Sequence, residues 1–204
     1  MTNTGRKTVS AVEREAISLS HLKRLLAIGR FSILIALNLL FLLPGCAGAQ
    51  EANEYEVKAA FLYNFARFVE WPNSVSPDPN GPLVIAILGR DPFGAEIDRA
   101  IEGKTVNGRR LVIKRFSSLE TYEQCHILFV SSSERGNLPR ILAAVRTSSV
   151  LTVSETDRFA QIGGIINFIT IENRIRFEIN QAAAARVGLK ISSKLLSLGR
   201  VVRT

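Results

Sequence analysis

The sequence predicts a single α/β domain of three layers: a largely parallel central sheet, helices on both of its faces, and a C-terminal β-hairpin followed by a helix. Three observations carry that expectation. Short apolar runs bounded by Gly, Pro, Asn or Asp alternate with segments of helical period, the pattern of a parallel sheet wrapped by helices. The first of these runs, "LVIAILG" (83–89), is continuous rather than alternating, as a strand buried on both faces reads. Near the end the alternation stops, and two strand-like runs flank Glu172-Asn173 with the spacing of a hairpin.

An export signal precedes these elements. Residues 31–43 read "FSILIALNLLFLL", an apolar run too short to cross a bilayer comfortably. Lys23, Arg24 and Arg30 lie before it, and Ala47-Gly48-Ala49 after it forms a small-x-small cleavage site. Residues 1–49 therefore read as a signal peptide with a long basic n-region, and 50–204 as one domain. Leu43-Pro44-Gly45-Cys46 approximates a lipobox and offers a rival processing site, at which Cys46 would be acylated. Pro44 fits that motif poorly. The expected location is the periplasm in either case.

Removing the signal changes the charge. The full chain carries +8, but six of its 26 basic and two of its 18 acidic residues precede residue 50, which leaves +4 on the domain. The remaining bases are scattered, so nothing favours nucleic acid. With Cys46 removed, Cys125 is the one cysteine left and no internal disulfide can form.

Within the domain, Val57, Ala60, Phe61, Asn64, Phe65 and Phe68 recur at helical spacing, with Trp71 following. That spacing predicts a helix burying a wide aromatic face, stopped at Pro72. "PNSVSPDPNGP" is a loop by composition. After the first strand, "DPFGAEIDRAIEG" predicts a short helix ended by Gly103. "RRLVIKRF" and "HILFVS" are the second and third strands, and "NLPRILAAVR" is a helix with Pro139 in its first turn. "SVLTVSE" is the fourth strand. The hairpin arms are 165–171 and 174–179. In the second arm Ile175, Phe177 and Ile179 alternate with Arg174, Arg176 and Glu178, which predicts one wet face. "QAAAARVGLKISSKLLSLGRVV" closes the chain as helix.

Catalytic patterns are scarce. His126 is the one histidine of the domain and opens an apolar strand, where a structural role outweighs a catalytic one. No G-x-S-x-G elbow accompanies it. "GGIIN" lacks the P-loop lysine and the dinucleotide-binding spacing. One His beside one Cys is not a metal cluster. The expectation is a protein without enzymatic activity, metal or cofactor.

"KAAFLYNFARFVEWP", "LVIAILGRDPFG", "GGIINF", "RFEIN" and "LKISSKLLSLGRVV" together resemble the YfiR family of bacterial periplasmic proteins, over 54–202 and in family order. The resemblance implies an α/β domain that regulates another protein. In that family the periplasmic protein binds the periplasmic sensor domain of an inner-membrane diguanylate cyclase and represses it, limiting cyclic di-GMP and biofilm formation. It also implies a homodimer. Some members carry internal disulfides and respond to oxidation; here Cys125 has no partner, so that control does not carry over.

Two sets of site residues follow. Glu172, Arg174, Arg176 and Glu178 are the partner-binding candidates, because an edge strand with alternating charges can dock a second chain. The alternative function is a small-molecule sensor acting beside a kinase or transporter. Its ligand would sit at strand ends, near Arg90 and Asp91 or near Ser131 and Arg135.

Overall fold

The computed structural model describes residues 47–72 and 81–203, with side chains from Glu54 onward. The expected export segment as far as Cys46, and residues 73–80 of the expected loop, lie outside the described residues. None of the described helices is long and apolar enough to cross a membrane.

The first helix, α1 (Ala47–Phe68), buries Lys58, Ala59, Leu62, Phe65 and Ala66. These positions recur every three to four residues, but the stripe is rotated from the expected one. Phe65 is shared by both, whereas Val57 and Ala60 face solvent and Phe61 is half-buried. Nor does Pro72 end the helix. The chain is already extended at β1 (Val69–Glu70), which pairs antiparallel with β9 (Lys190–Ile191). The Phe68 carbonyl accepts from the Ser192 N–H at 3.0 Å, so a distant segment satisfies an orphan helix-end group.

The expected strands are all present. They are β2 (Leu83–Leu88), β4 (Arg109–Phe116), β5 (Ile127–Val130) and β6 (Leu151–Ser154), mutually parallel in the order β6-β5-β2-β4. Between β2 and β4 lies α2 (Ala95–Ile101), followed by β3 (Thr105–Val106), which pairs antiparallel with β4. That small hairpin turns on Asn107 and Gly108, at φ 51° and 77°, the conformation Asn-Gly favours in a two-residue loop. A 3₁₀ turn (Ser132–Asn137) and α3 (Leu138–Val145) join β5 to β6.

β2 shows why its sequence is a continuous apolar run. Ile85 and Ile87 join one core with Leu62 and Phe65 of α1 and Ile97 of α2, while Ala86 and Leu88 join another with Leu138, Ile141 and Val145 of α3 and with Phe159. Both faces are covered, so no position is left for a polar residue. Each large side chain so buried contributes roughly 1.5–3 kcal/mol.

The hairpin follows with β7 (Ile166–Ile171) parallel to β6 and β8 (Arg174–Ile179) antiparallel to β7. Its turn residues Glu172 and Asn173 both take the left-handed conformation, at φ 50° and 57°. Phe168 and Phe177, opposite each other in the ladder, pack against Phe61 and Phe65 of α1 with ring centroids 5.2–6.1 Å apart. The wet-face expectation for β8 holds at Arg174 and Arg176 but fails at Glu178, which is 2 % exposed.

The C-terminal segment is not one helix. It divides into α4 (Gln181–Arg186), β9, α5 (Ser193–Leu198) and β10 (Arg200–Val201). Gly188 at φ 74° lets the chain leave α4. At Gly199 a Cβ would lie 2.6 Å from the Phe177 ring, so the chain turns there against the sheet where no larger residue fits. β10 then pairs parallel with the last two residues of β8. The full order is β10-β8-β7-β6-β5-β2-β4-β3, so β8 is an edge only over its first half.

Candidate functional site

Three places carry polar chemistry. The first is the crevice between β2 and β5. β2 connects through α2 on the α1 face of the sheet and β5 through α3 on the other, so their adjacent carboxyl ends form a topological switch point. Arg90, Asp91, Ser131 and Arg135 all lie there, as the sequence suggested. The crevice, however, is occupied by its own chain. Ser133 Oγ and Glu134 Cγ stand 2.5 and 2.8 Å from where a Cβ of Gly89 would be, which only a glycine permits, and Gly89 has φ 91°. The Arg90 N–H donates to Ser133 Oγ at 2.9 Å, and the buried Ser131 Oγ accepts from the Ser133 N–H at 3.3 Å. Asp91 accepts from the Phe93 N–H at 2.7 Å and pairs with Arg115 Nε at 2.7 Å. Arg115 also bridges to Asp98 at 2.6 Å, and the two carboxylates hold its guanidinium above its ordinary pKa. Asp91 and Ser131 thus spend their hydrogen bonds locally, while Arg90 and Arg135 are exposed.

The second place is the free half of β8. Arg174 and Arg176 are exposed, and neither makes an ion pair with any other described residue. By the pleat they share a face with Ile169 and Ile171, opposite the face that packs on α1. Ile171 is 46 % exposed. A groove of ≈ 470 Å³ runs along the edge between this arm and α1, bordered by Val57, Phe61 and Ile175. Glu172 is exposed in the turn. Glu178 is separate from this surface. Buried beside β10, it pairs with Arg200 and accepts from Gln161 Nε2 at 3.1 Å. Burial pushes its carboxyl pKa up, but these hydrogen bonds outweigh burial and hold it below the usual range. Glu178 therefore fastens β10 to the sheet, and the surface candidates reduce to Glu172, Arg174 and Arg176.

The third place was not anticipated. Lys58 is 3 % exposed, and its ammonium pairs with Glu54 and, at 2.5 Å, with Glu155 just past β6. The Tyr55 hydroxyl donates to the other Glu155 oxygen at 3.2 Å, and the Lys58 ammonium lies 4.6 Å from the Tyr55 ring centre. A buried lysine with two carboxylates is costly to break, because removing one partner strands a buried charge. The signal in the sequence was a lone lysine in phase with Leu62 and Phe65 on one helix stripe.

His126 and Cys125 are structural in their surroundings. His126 Nδ1 accepts from the Val84 N–H at 3.1 Å, its carbonyl accepts from Trp71 Nε1 at 3.1 Å, and Arg109 lies 3.1 Å from Nε2. Burial, and then the Arg109 charge, push its pKa down to about 4. Cys125 is free and buried, its thiol 3.6 Å from the Tyr122 hydroxyl, and burial pushes it up to about 12. Among the described residues no group of three His, Cys, Asp or Glu side chains gathers to hold a metal.

A family model described as YfiR/HmsC-like matches residues 55–200. No curated protein is similar enough in sequence to count as a relative. Among solved structures, a conserved domain protein from Vibrio cholerae O1 biovar El Tor str. N16961 is 8 % identical with a TM-score of 0.50, covering 71 % of this chain and 60 % of its own. An ABC domain in complex with L-Trp from Streptococcus pneumonia is 12 % identical with a TM-score of 0.44, covering 59 % of this chain and 55 % of its own. The chain thus spans less than two thirds of either solved chain. The first of them supports the α/β fold alone.

Proposed function

The chain belongs to the YfiR/HmsC-like family, and on that premise we propose that it is a periplasmic regulatory protein that binds the sensor domain of a membrane-bound diguanylate cyclase and holds the cyclase inactive. Repression limits cyclic di-GMP and with it biofilm formation. The protein performs no chemistry of its own. The observation that carries this reading is the family match across 55–200, nearly the whole described domain. The half-open edge of β8 supports it, because it offers backbone groups that no described strand pairs, two arginines without an acidic partner among the described residues, and exposed Ile171 side by side. A small-molecule sensor is less well supported, since its expected crevice is filled by Ser133 and Glu134.

Gene deletion tests the proposal. Cyclic di-GMP rises in the deletion strain and falls again when the exported protein is restored. Unchanged cyclic di-GMP, together with a small molecule that raises the melting temperature of the purified domain, overturns repression in favour of the sensor.

A further inference from the structure

We infer that the domain carries a second binding site, for a free single-chain fatty-acid carboxylate, in the groove between α3 and α4. This groove lies beneath the start of β6, at the opposite end of the sheet from the switch-point crevice. It encloses ≈ 670 Å³, a volume typical of small-molecule sites. Its floor is apolar and buried, formed by Val145, Val150 and Ile165. Leu142 and Val187 form half-buried walls, and Ile162 stands at the lip, 50 % exposed. The Thr152 hydroxyl in the floor accepts from the Ile165 N–H at 3.0 Å.

The charges on this groove are all of one sign. Arg146 ends α3, Arg186 ends α4, and both border the groove, which no carboxylate lines. Neither arginine pairs with another described residue. Stabilising helix carboxyl ends explains a basic residue at each terminus. It does not explain why both face one apolar groove with no carboxylate among its described lining residues. A hydrocarbon chain matches the floor and walls, and a carboxylate matches the planar guanidinium fork. An amine headgroup is repelled, and a short polar anion leaves the apolar walls wet. This site is independent of any cyclase and lies away from the free half of β8.

The test uses the whole exported domain and titration calorimetry with dodecanoate below its micellar concentration. Binding strengthens roughly fourfold per added methylene from hexanoate upward until the groove is full. Dodecyltrimethylammonium binds at least about tenfold more weakly than dodecanoate, and the exposed double variant Arg146→Gln/Arg186→Gln lowers dodecanoate affinity about tenfold or more. The same variant leaves dodecanol affinity unchanged, which separates lost charge recognition from lost folding. Absence of dodecanoate binding, equal binding of the ammonium amphiphile, or insensitivity to the double variant overturns the site. If Ile162→Asp instead converts a dimer to monomer while dodecanoate fails to bind, the groove is a contact between copies and the proposal fails.

Discussion

His126 accepts the Val84 N–H on Nδ1 and has the Arg109 guanidinium beside its Nε2, so a protonated ring would set an N–H against the Val84 donor and a second positive charge beside Arg109. Its folded pKa, about 4, lies below the ordinary value of 6.5. The unfolded chain therefore takes up a proton first as pH falls. The stability contributed by neutral His126 is complete above pH 6.5 and is lost as pH falls toward 4. By linkage, stability therefore rises with pH across the window from about 4 to 6.5. His126→Asn keeps an acceptor for Val84 and removes the titration. Urea unfolding of this variant shows a flatter stability profile between pH 4 and 6.5, and an unchanged profile would sink the assignment. Phe65 is the other residue whose role is sharply defined. It is 0 % exposed and contacts Phe61, Phe168 and Phe177 at once. Phe65→Ala costs about 3–5 kcal/mol, a large share of the stability of a domain this size. A wild-type melting temperature would show that the aromatic helix is a surface.

At the scale of elements, the hairpin separates cleanly into two halves. The half near α4 is structural: Phe177 packs on α1, and Glu178 ties down β10 through Arg200. The half near the Glu172-Asn173 turn is exposed and basic. Double reversal Arg174→Glu/Arg176→Glu should weaken repression of the cyclase while changing stability by less than about 0.5 kcal/mol per site, as solvated substitutions do. Melting temperature and binding of the purified sensor domain, measured on the same preparation, check both arms. Full-strength binding by the reversed protein would move the interface elsewhere.

At the scale of the whole molecule, the proposed periplasmic role requires export. The intact mass of protein recovered from the periplasm should correspond to a chain beginning at Gln50. A diacylglyceryl group on Cys46 would instead assign the lipoprotein route, and a retained n-region would contradict both. In such a mature chain Cys125 is the one cysteine, so no internal disulfide can form.

The class of the fold, the four central parallel strands and the hairpin turn were legible in the sequence, whereas β1, β3, β9 and β10 were not. The legible features depend on signals within a few residues: two-sided apolar runs, Pro139 in a first helical turn, and a two-residue loop that tolerates left-handed backbone. Tertiary structure decided the rest. The buried stripe of α1 runs through Lys58 and Leu62 rather than Val57 and Ala60 because Glu155, 97 residues from Lys58, pairs with that lysine and the core around Ile85 and Ile87 takes in Leu62. The closing helix broke twice: Gly188 lets the chain leave α4 to pair as β9 with β1, and Gly199 turns against Phe177 and leaves β10 beside β8. Glu178 left the wet face for the same reason: Arg200 arrives with β10 to pair with it. At the strand ends where Arg90, Asp91, Ser131 and Arg135 lie, Ser133 and Glu134 pack over Gly89, which leaves room for them. Local period specifies which segments become strands and helices, but which side chain is covered, and by what, depends on partners far away in the chain.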